Sequence, residues 1–196
     1  LLLLTVFGVK AAVVPLHFWL PDSYPTAPTP ITAVFAALLT KVGVYAMVRT
    51  QTLLFPRTDV WPLLAVAAVL AMVVGVLGAL AQDDINRLLS FVLVSHIGYM
   101  LFGLALFTVD GLTGTVLYTV HHITVQASLF LVAGVTVSMT GTPALRRMRQ
   151  MAPPPATITV LFLLPALSLA GVPPLSGFVA KLALLRAGVA DRAPVV

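Results

Sequence analysis

A chain of 196 residues that is 60% hydrophobic and 9% charged, with a mean hydropathy of +1.07, lies far outside the range of soluble domains. Its 11 Lys+Arg against 6 Asp+Glu leave a net charge of +5, but these cations are few and scattered among apolar runs, which argues against a nucleic-acid partner. Without cysteine there are no disulfides, thiolate metal sites or cysteine catalysis.

A bilayer crossing takes about 20 apolar residues, which predicts six spans, over roughly 1–20, 31–55, 60–81, 86–108, 112–140 and 157–190. The runs are continuous rather than alternating, so helices rather than a barrel must satisfy the backbone in lipid. The expected fold class is all-α, a polytopic transmembrane helix bundle. The opening, LLLLTVFGVK, has no initiator Met, charged leader or cleavage site, and is read as a fragment starting inside a helix. Asp191–Val196 likewise reads as a cut end.

The first span runs into PLHFWLPDSYPTAPTP, whose prolines predict a break near Pro15 and a loop over Pro21–Thr29. Pro30 then opens the second span with Thr29 as its cap. Short connections follow at Pro56–Asp59 and Gln82–Ile85, where Asp83, Asp84 and Arg87 predict a helix-start cap and a surface ion pair. Asp110-Gly111 punctuates the fourth and fifth spans, and the fifth ends near Gly141. The long loop Thr142–Pro155 carries Arg146, Arg147, Arg149 and three consecutive prolines. In the last span Pro165, Gly171, Pro173, Pro174 and Gly177 predict a discontinuous helix. The arginine cluster and Arg87 fall in connections on one face, which the positive-inside rule makes cytoplasmic, with Arg49 and Arg57 opposing weakly.

Lys10, Lys41 and Lys181 are the three lysines, each within an apolar span. An ammonium at mid-membrane depth costs roughly 2.5–3.5 kcal/mol, so such residues face a protein interior or a wet cavity and carry ions or protons. Lys10 and Lys181 also sit beside predicted breaks. There Pro15 frees the carbonyl of Ala11, and Pro173 and Pro174 free those of Leu169 and Ala170. Paired broken segments are a sign of transporters built from inverted repeats.

The stretch VKAAVVPLHFWLPDSYPTAPTPITAVFAALLTKVGVYAMVR resembles the antiporter-like membrane subunits shared by respiratory complex I and the Mrp-type multisubunit Na+/H+ antiporters. DDINRLLSFVLVSHIGYML and LSLAGVPPLSGFVAKLALL agree in order and spacing, and WLPDSYPTAP followed by LLTKVGVY looks most like the D-type branch of the Mrp antiporters. The resemblance implies part of a fourteen-helix inverted-repeat antiporter fold, with residues 1–55 ending the first repeat and 60–190 forming most of the second. It implies that Lys10, Lys41 and Lys181 are the proton-translocating lysines of helices seven, eight and twelve. The glutamate that pairs with the first of them would precede Leu1.

Histidine is a natural relay because its unperturbed pKa is near 6.5. His121 and His122 point about 100° apart on the fifth span, so at most one easily faces a central water chain, and either can be the one that carries protons. Gln126 stands where the family often has a lysine, and cannot titrate. His96 fits a structural hydrogen bond or a relay equally, His17 fits packing at the helix end, and Asp22 either caps a turn or lines the entrance. Ser90, Ser95, Ser128, Ser168, Ser176 and Thr40 are suited to holding water or to helix packing. No metal-ligand spacing, phosphate loop, nucleophile elbow or carboxylate pair occurs, so no catalytic residue, metal or redox cofactor is expected. The resemblance thus implies a prokaryotic plasma-membrane subunit working with other membrane subunits, the lipid bilayer, H+ and Na+ or K+. A complex I pumping subunit, or a structural subunit whose lysines pair with acids in neighbouring chains, are the rival readings.

Overall fold

The computed structural model describes residues 1–55, 60–151 and 154–190. The connection expected at Pro56–Asp59, Pro153 of the proline run and the tail from Asp191 lie outside the described residues. In chain order the helices are α1 (Leu2–Ala11), α2 (Trp19–Ser23), α3 (Thr29–Leu53), α4 (Trp61–Leu80), α5 (Ile85–Ala105), α6 (Val109–Thr140), α7 (Leu145–Met148), α8 (Ala156–Ala170) and α9 (Ser176–Ala190). Outside these, a short 3-10 turn spans Tyr24–Thr26 and one isolated bridge joins Asp84 to Ala144. Four helices, α3 to α6, are long and apolar enough to cross a membrane.

The two ends of the chain are interrupted. After α1, Ala12 takes the left-handed conformation (φ 57°) and Val13 N–H donates to the Gly8 carbonyl, which closes the helix before Pro15. After α8, Gly171 does the same at φ 89°, and the chain turns through Val172–Leu175 before α9. Pro165 is accommodated inside α8 without ending it.

Several local expectations are corrected. Pro21 sits in the first turn of α2, where its missing N–H has no intrahelical duty, so part of the expected loop is helical. Thr29 is the first residue of α3 rather than its cap, which is Pro28. The hydroxyl of Thr32 instead ties the preceding loop down, 3.0 Å from the Tyr24 carbonyl. Asp110-Gly111 lies within the first turn of α6, capped by Thr108, whose Oγ1 accepts from Gly111 N–H at 3.0 Å. Asp84 does cap α5, accepting from Asn86 and Arg87 N–H, but Arg87 pairs with Asp22 at 3.1 Å and Asp83 with Arg146 at 3.7 Å. These pairs bring the α2, α4–α5 and α6–α8 connections to one end of the bundle. The arginine loops therefore share a face, as their sequence order requires.

The innermost helix is α5, packed between α4 and α6, while α3 and α9 close on α6 and α1 crosses α3 at Gly43. Small residues let the backbones approach. A Cβ at Gly75 of α4 would lie 2.6 Å from Ser95 Cα of α5, and Ser95 Oγ donates to the Met72 carbonyl at 3.1 Å. Overfilling such a contact costs about 1–3 kcal/mol. Gly75→Leu is therefore expected to lower the yield of assembled protein on size-exclusion chromatography. Val76→Leu, on the exposed face of the same helix, is expected to leave it unchanged.

Candidate functional site

Polar side chains that the hydropathy pattern leaves inside apolar spans collect along the bundle's interior. Lys41 lies at the middle of α3 and is 3% exposed. Its ammonium points inward and donates to the Ala36 carbonyl at 2.5 Å; the buried hydroxyl of the preceding residue, Thr40, has no partner among the described residues. A cleft of about 330 Å³ between α3 and α6 opens next to it, with Thr115 and Thr119 on the facing wall. Lys41 is within electrostatic reach of His96 and His122.

His122 is fully buried, and neither of its ring nitrogens has a hydrogen-bond partner among the described residues. Its ring centroid lies 5.1 Å from that of His96 on α5. His96 Nδ1 meets the hydroxyl of Tyr118, and its ring lies 5.9 Å from the Tyr118 ring and 5.7 Å from Tyr99. Tyr99 in turn lies under Lys181, whose Nζ is 5.2 Å from the ring centroid, within cation–π range. A second cleft of about 330 Å³ is lined by Ser95, His96, Tyr99 and Lys181.

One residue along α6, His121 points to the other side. Its Nδ1 is 2.9 Å from Ser176 Oγ at the start of α9, and Ser176 Oγ is 3.2 Å from Ser168 Oγ near the end of α8. His121 Nε2 is buried and unpartnered. Adjacent helix positions diverge by about 100°, so the histidine pair serves two neighbours, α5 and the α8–α9 break. At that break Lys181 is half-buried and donates to the Ala170 carbonyl at 3.0 Å, one of the two oxygens that the Pro173-Pro174 break is expected to free. The same fold-back brings the lysine stem against Gly171, whose Cβ would stand 3.0 Å from Lys181 Cδ.

Gln126, one turn beyond His122, donates to the Leu89 carbonyl at 3.0 Å while its Oε1 is buried and unpartnered. Ring contacts thus connect His122, His96, Tyr118 and Tyr99 with Lys181 over the last of them, while His121 turns to Ser176, and Lys41 and Gln126 each donate to a backbone carbonyl. Two expected residues lie apart from this seam. Lys10 is exposed at the end of α1, and Asp22 is exposed in its ion pair with Arg87. His17 packs against Phe18 and Phe91, as expected of a helix-end residue. The tyrosines escaped the sequence reading, although a signal existed: Tyr118 precedes His121 by three and His122 by four, and Tyr99 follows His96 by three, all same-face spacings.

The described residues form a helical membrane-type bundle interrupted at both ends, with buried Lys41, half-buried Lys181 and buried imidazoles between the breaks. Known proteins have similar sequence and fold. The model of the NADH:quinone oxidoreductase/Mrp antiporter transmembrane family matches residues 1–196. The chain is 45% identical over 186 residues to the D component of the Na+/H+ antiporter of Alkalihalophilus pseudofirmus, covering 94% of this chain and 38% of that protein. It is 38% identical over 192 residues to the D component of the Bacillus subtilis Na+/H+ antiporter, covering 97% and 39%. Its fold superimposes on a chain of the Mrp complex from Dietzia sp. with a TM-score of 0.89 at 40% identity, covering 96% of this chain and 35% of that one. The archaeal membrane-bound sulfane sulfur reductase, a respiratory membrane complex, gives a TM-score of 0.88 at 27% identity, covering 94% and 39%. This chain belongs to the NADH:quinone oxidoreductase/Mrp antiporter transmembrane family. It spans about two fifths of the length of these relatives.

Proposed function

We propose that the chain is part of the proton-translocating subunit of a multisubunit Na+ (or other cation)/H+ antiporter, seated in the plasma membrane among other membrane subunits. In this reading α1–α2 and α8–α9 are two broken spans that join the four continuous helices to make six of a fourteen-helix fold. Residues 1–55 close its first inverted repeat and residues 60–190 form most of its second. Protons pass along the interior row comprising Lys41, the α6 histidines and Lys181. Lys10 extends the row toward a carboxylate supplied by residues outside the present sequence.

The enclosure of Lys41 carries this reading. A lysine that merely snorkels reaches the headgroups along the helix surface, whereas Lys41 is turned inward at the centre of a 25-residue apolar helix. Both ring nitrogens of His122, which lies within electrostatic reach of Lys41, find no protein partner among the described residues, and a buried polar group left so costs about 1–3 kcal/mol. Water or a moving proton satisfies them, and lipid does not. The cleft beside Lys181, with Ser95, His96 and Tyr99 in its wall, has the polar groups and the room to hold several water molecules.

Antiport measured in everted vesicles decides between transport and a purely structural subunit. Lys10→Ala and Lys181→Ala, at matched amounts of assembled complex, are expected to lower the rate by about tenfold or more. Unchanged transport by Lys181→Ala, alone or with Lys10→Ala, overturns the proposal. A complex I-like pumping subunit uses the same scaffold, and the genes beside this one separate the two: antiporter subunits in one case, quinone-reducing subunits in the other.

A further inference from the structure

Tyr118 touches both arms of the seam. It is fully buried in α6, with its ring 5.5 Å from Tyr99, 5.9 Å from His121 and 6.4 Å from His122. Its hydroxyl meets His96 Nδ1, its hydrogen-bond partner among the described residues. A buried hydroxyl has to place its hydrogen on an acceptor. When Nδ1 accepts it, the neutral imidazole carries its own hydrogen on Nε2. An imidazolium has N–H at both positions and cannot accept, so a proton reaches Nδ1 only after the hydroxyl has turned away. The titratable groups around this contact are His96 and Tyr99 from α5, His121 and His122 from α6, Lys41 from α3 and, beyond Tyr99, Lys181 from α9.

We propose that Tyr118 is a positioning residue for proton transfer: its hydroxyl holds His96 as the Nε2–H imidazole and swings off Nδ1 each time a proton crosses between the α6 histidines and Lys181. This role rests on the proton route proposed above. It adds to that route a group that is neither lysine nor histidine, and a step at which transfer can be held back.

The test compares Tyr118→Phe, His96→Gln, the double variant and Lys181→Ala in everted vesicles of the whole complex, with rates normalised to assembled complex. Phenylalanine keeps the ring contacts and removes the hydroxyl alone. Tyr118→Phe is expected to change the antiport rate about tenfold and to move the pH of half-maximal activity. It is also expected to add nothing once His96 is glutamine, because its effect passes through that ring. An unchanged pH profile for Tyr118→Phe overturns the proposal, as does a His96→Gln variant that works like the wild type. A Tyr118→Phe loss that adds fully to that of His96→Gln does so too, since a packing role behaves that way. Lys181→Ala separates the two layers. If it transports normally the proton route itself fails, whereas if it is inactive and Tyr118→Phe is normal, Tyr118 alone is excluded.

Discussion

Replacing Lys41 by methionine is expected to abolish proton-coupled transport while leaving the assembled protein at least as stable as before. The two effects have separate causes. An amine at mid-membrane depth is costly, roughly 2.5–3.5 kcal/mol on insertion scales, and its single hydrogen bond to the Ala36 carbonyl offsets part of that. Methionine fills a similar volume without the charge, so the fold loses nothing. Transport loses the buried proton carrier whose charge is felt at His122, and the expected fall is on the order of 100-fold. Lys41→Arg separates charge from lability. A guanidinium keeps its proton at any physiological pH, so arginine preserves the first but not the second, and is expected to fail as methionine does. Thermal unfolding of the purified complex and antiport in vesicles read the two effects. An arginine variant that transports normally would show that a fixed positive charge is what this position requires, and would sink the proton-carrier role.

The second large effect is expected at Gly177. A Cβ there would overlap the carbonyl of Ser168 and stand 3.0 Å from His121 Nε2. The first of these neighbours is backbone and cannot step aside unless α8 and α9 move apart. Their separation breaks the Ser168–Ser176 contact of 3.2 Å, while the added methyl crowds the His121 ring that holds Ser176 at 2.9 Å. Displacements on the order of 1 Å at a transfer site cost about 100-fold, so Gly177→Ala is expected to lower transport by that order at equal amounts of complex. Val179→Ala, on the exposed side of the same helix, is expected to be neutral. Normal transport by Gly177→Ala would mean that the junction of α8 and α9 tolerates opening and that His121 has no part in the route.

Much of the architecture was legible in the sequence because lipid is an unforgiving solvent. A segment that crosses it has to be continuous, apolar and helical, so the runs near Thr29–Leu53, Trp61–Leu80, Ile85–Ala105 and Val109–Thr140 stand out by hydropathy alone. The breaks were legible for a related reason: prolines and glycines inside apolar runs remove the donors that lipid does not replace. The Ala170 carbonyl, expected to be free, is the one that Lys181 takes. Local pairing was less legible. Asp83, Asp84 and Arg87 are neighbours in sequence, yet Arg87 turns to Asp22 and Asp83 to Arg146, because the connections converge at one end of the bundle. Pro21 entered a helix where a loop was expected, since the first turn of a helix has no use for the N–H that proline lacks.

The sequence alone thus settles the family, the helical class and the residues costly enough in lipid to suggest a purpose: Lys10, Lys41, Lys181 and the histidines of the fourth and fifth spans. Only the tertiary structure decided which of them meet. It enclosed Lys41, left Lys10 exposed on α1, sent His121 to Ser176 and His122 to His96, and placed Tyr118 and Tyr99 between the imidazoles and Lys181. The physical reason is that hydropathy records the cost of a side chain in lipid one residue at a time. The relief of that cost depends on the rotation and crossing of helices, and these are fixed by close contacts such as Gly75 with Ser95 and Gly177 with Ser168.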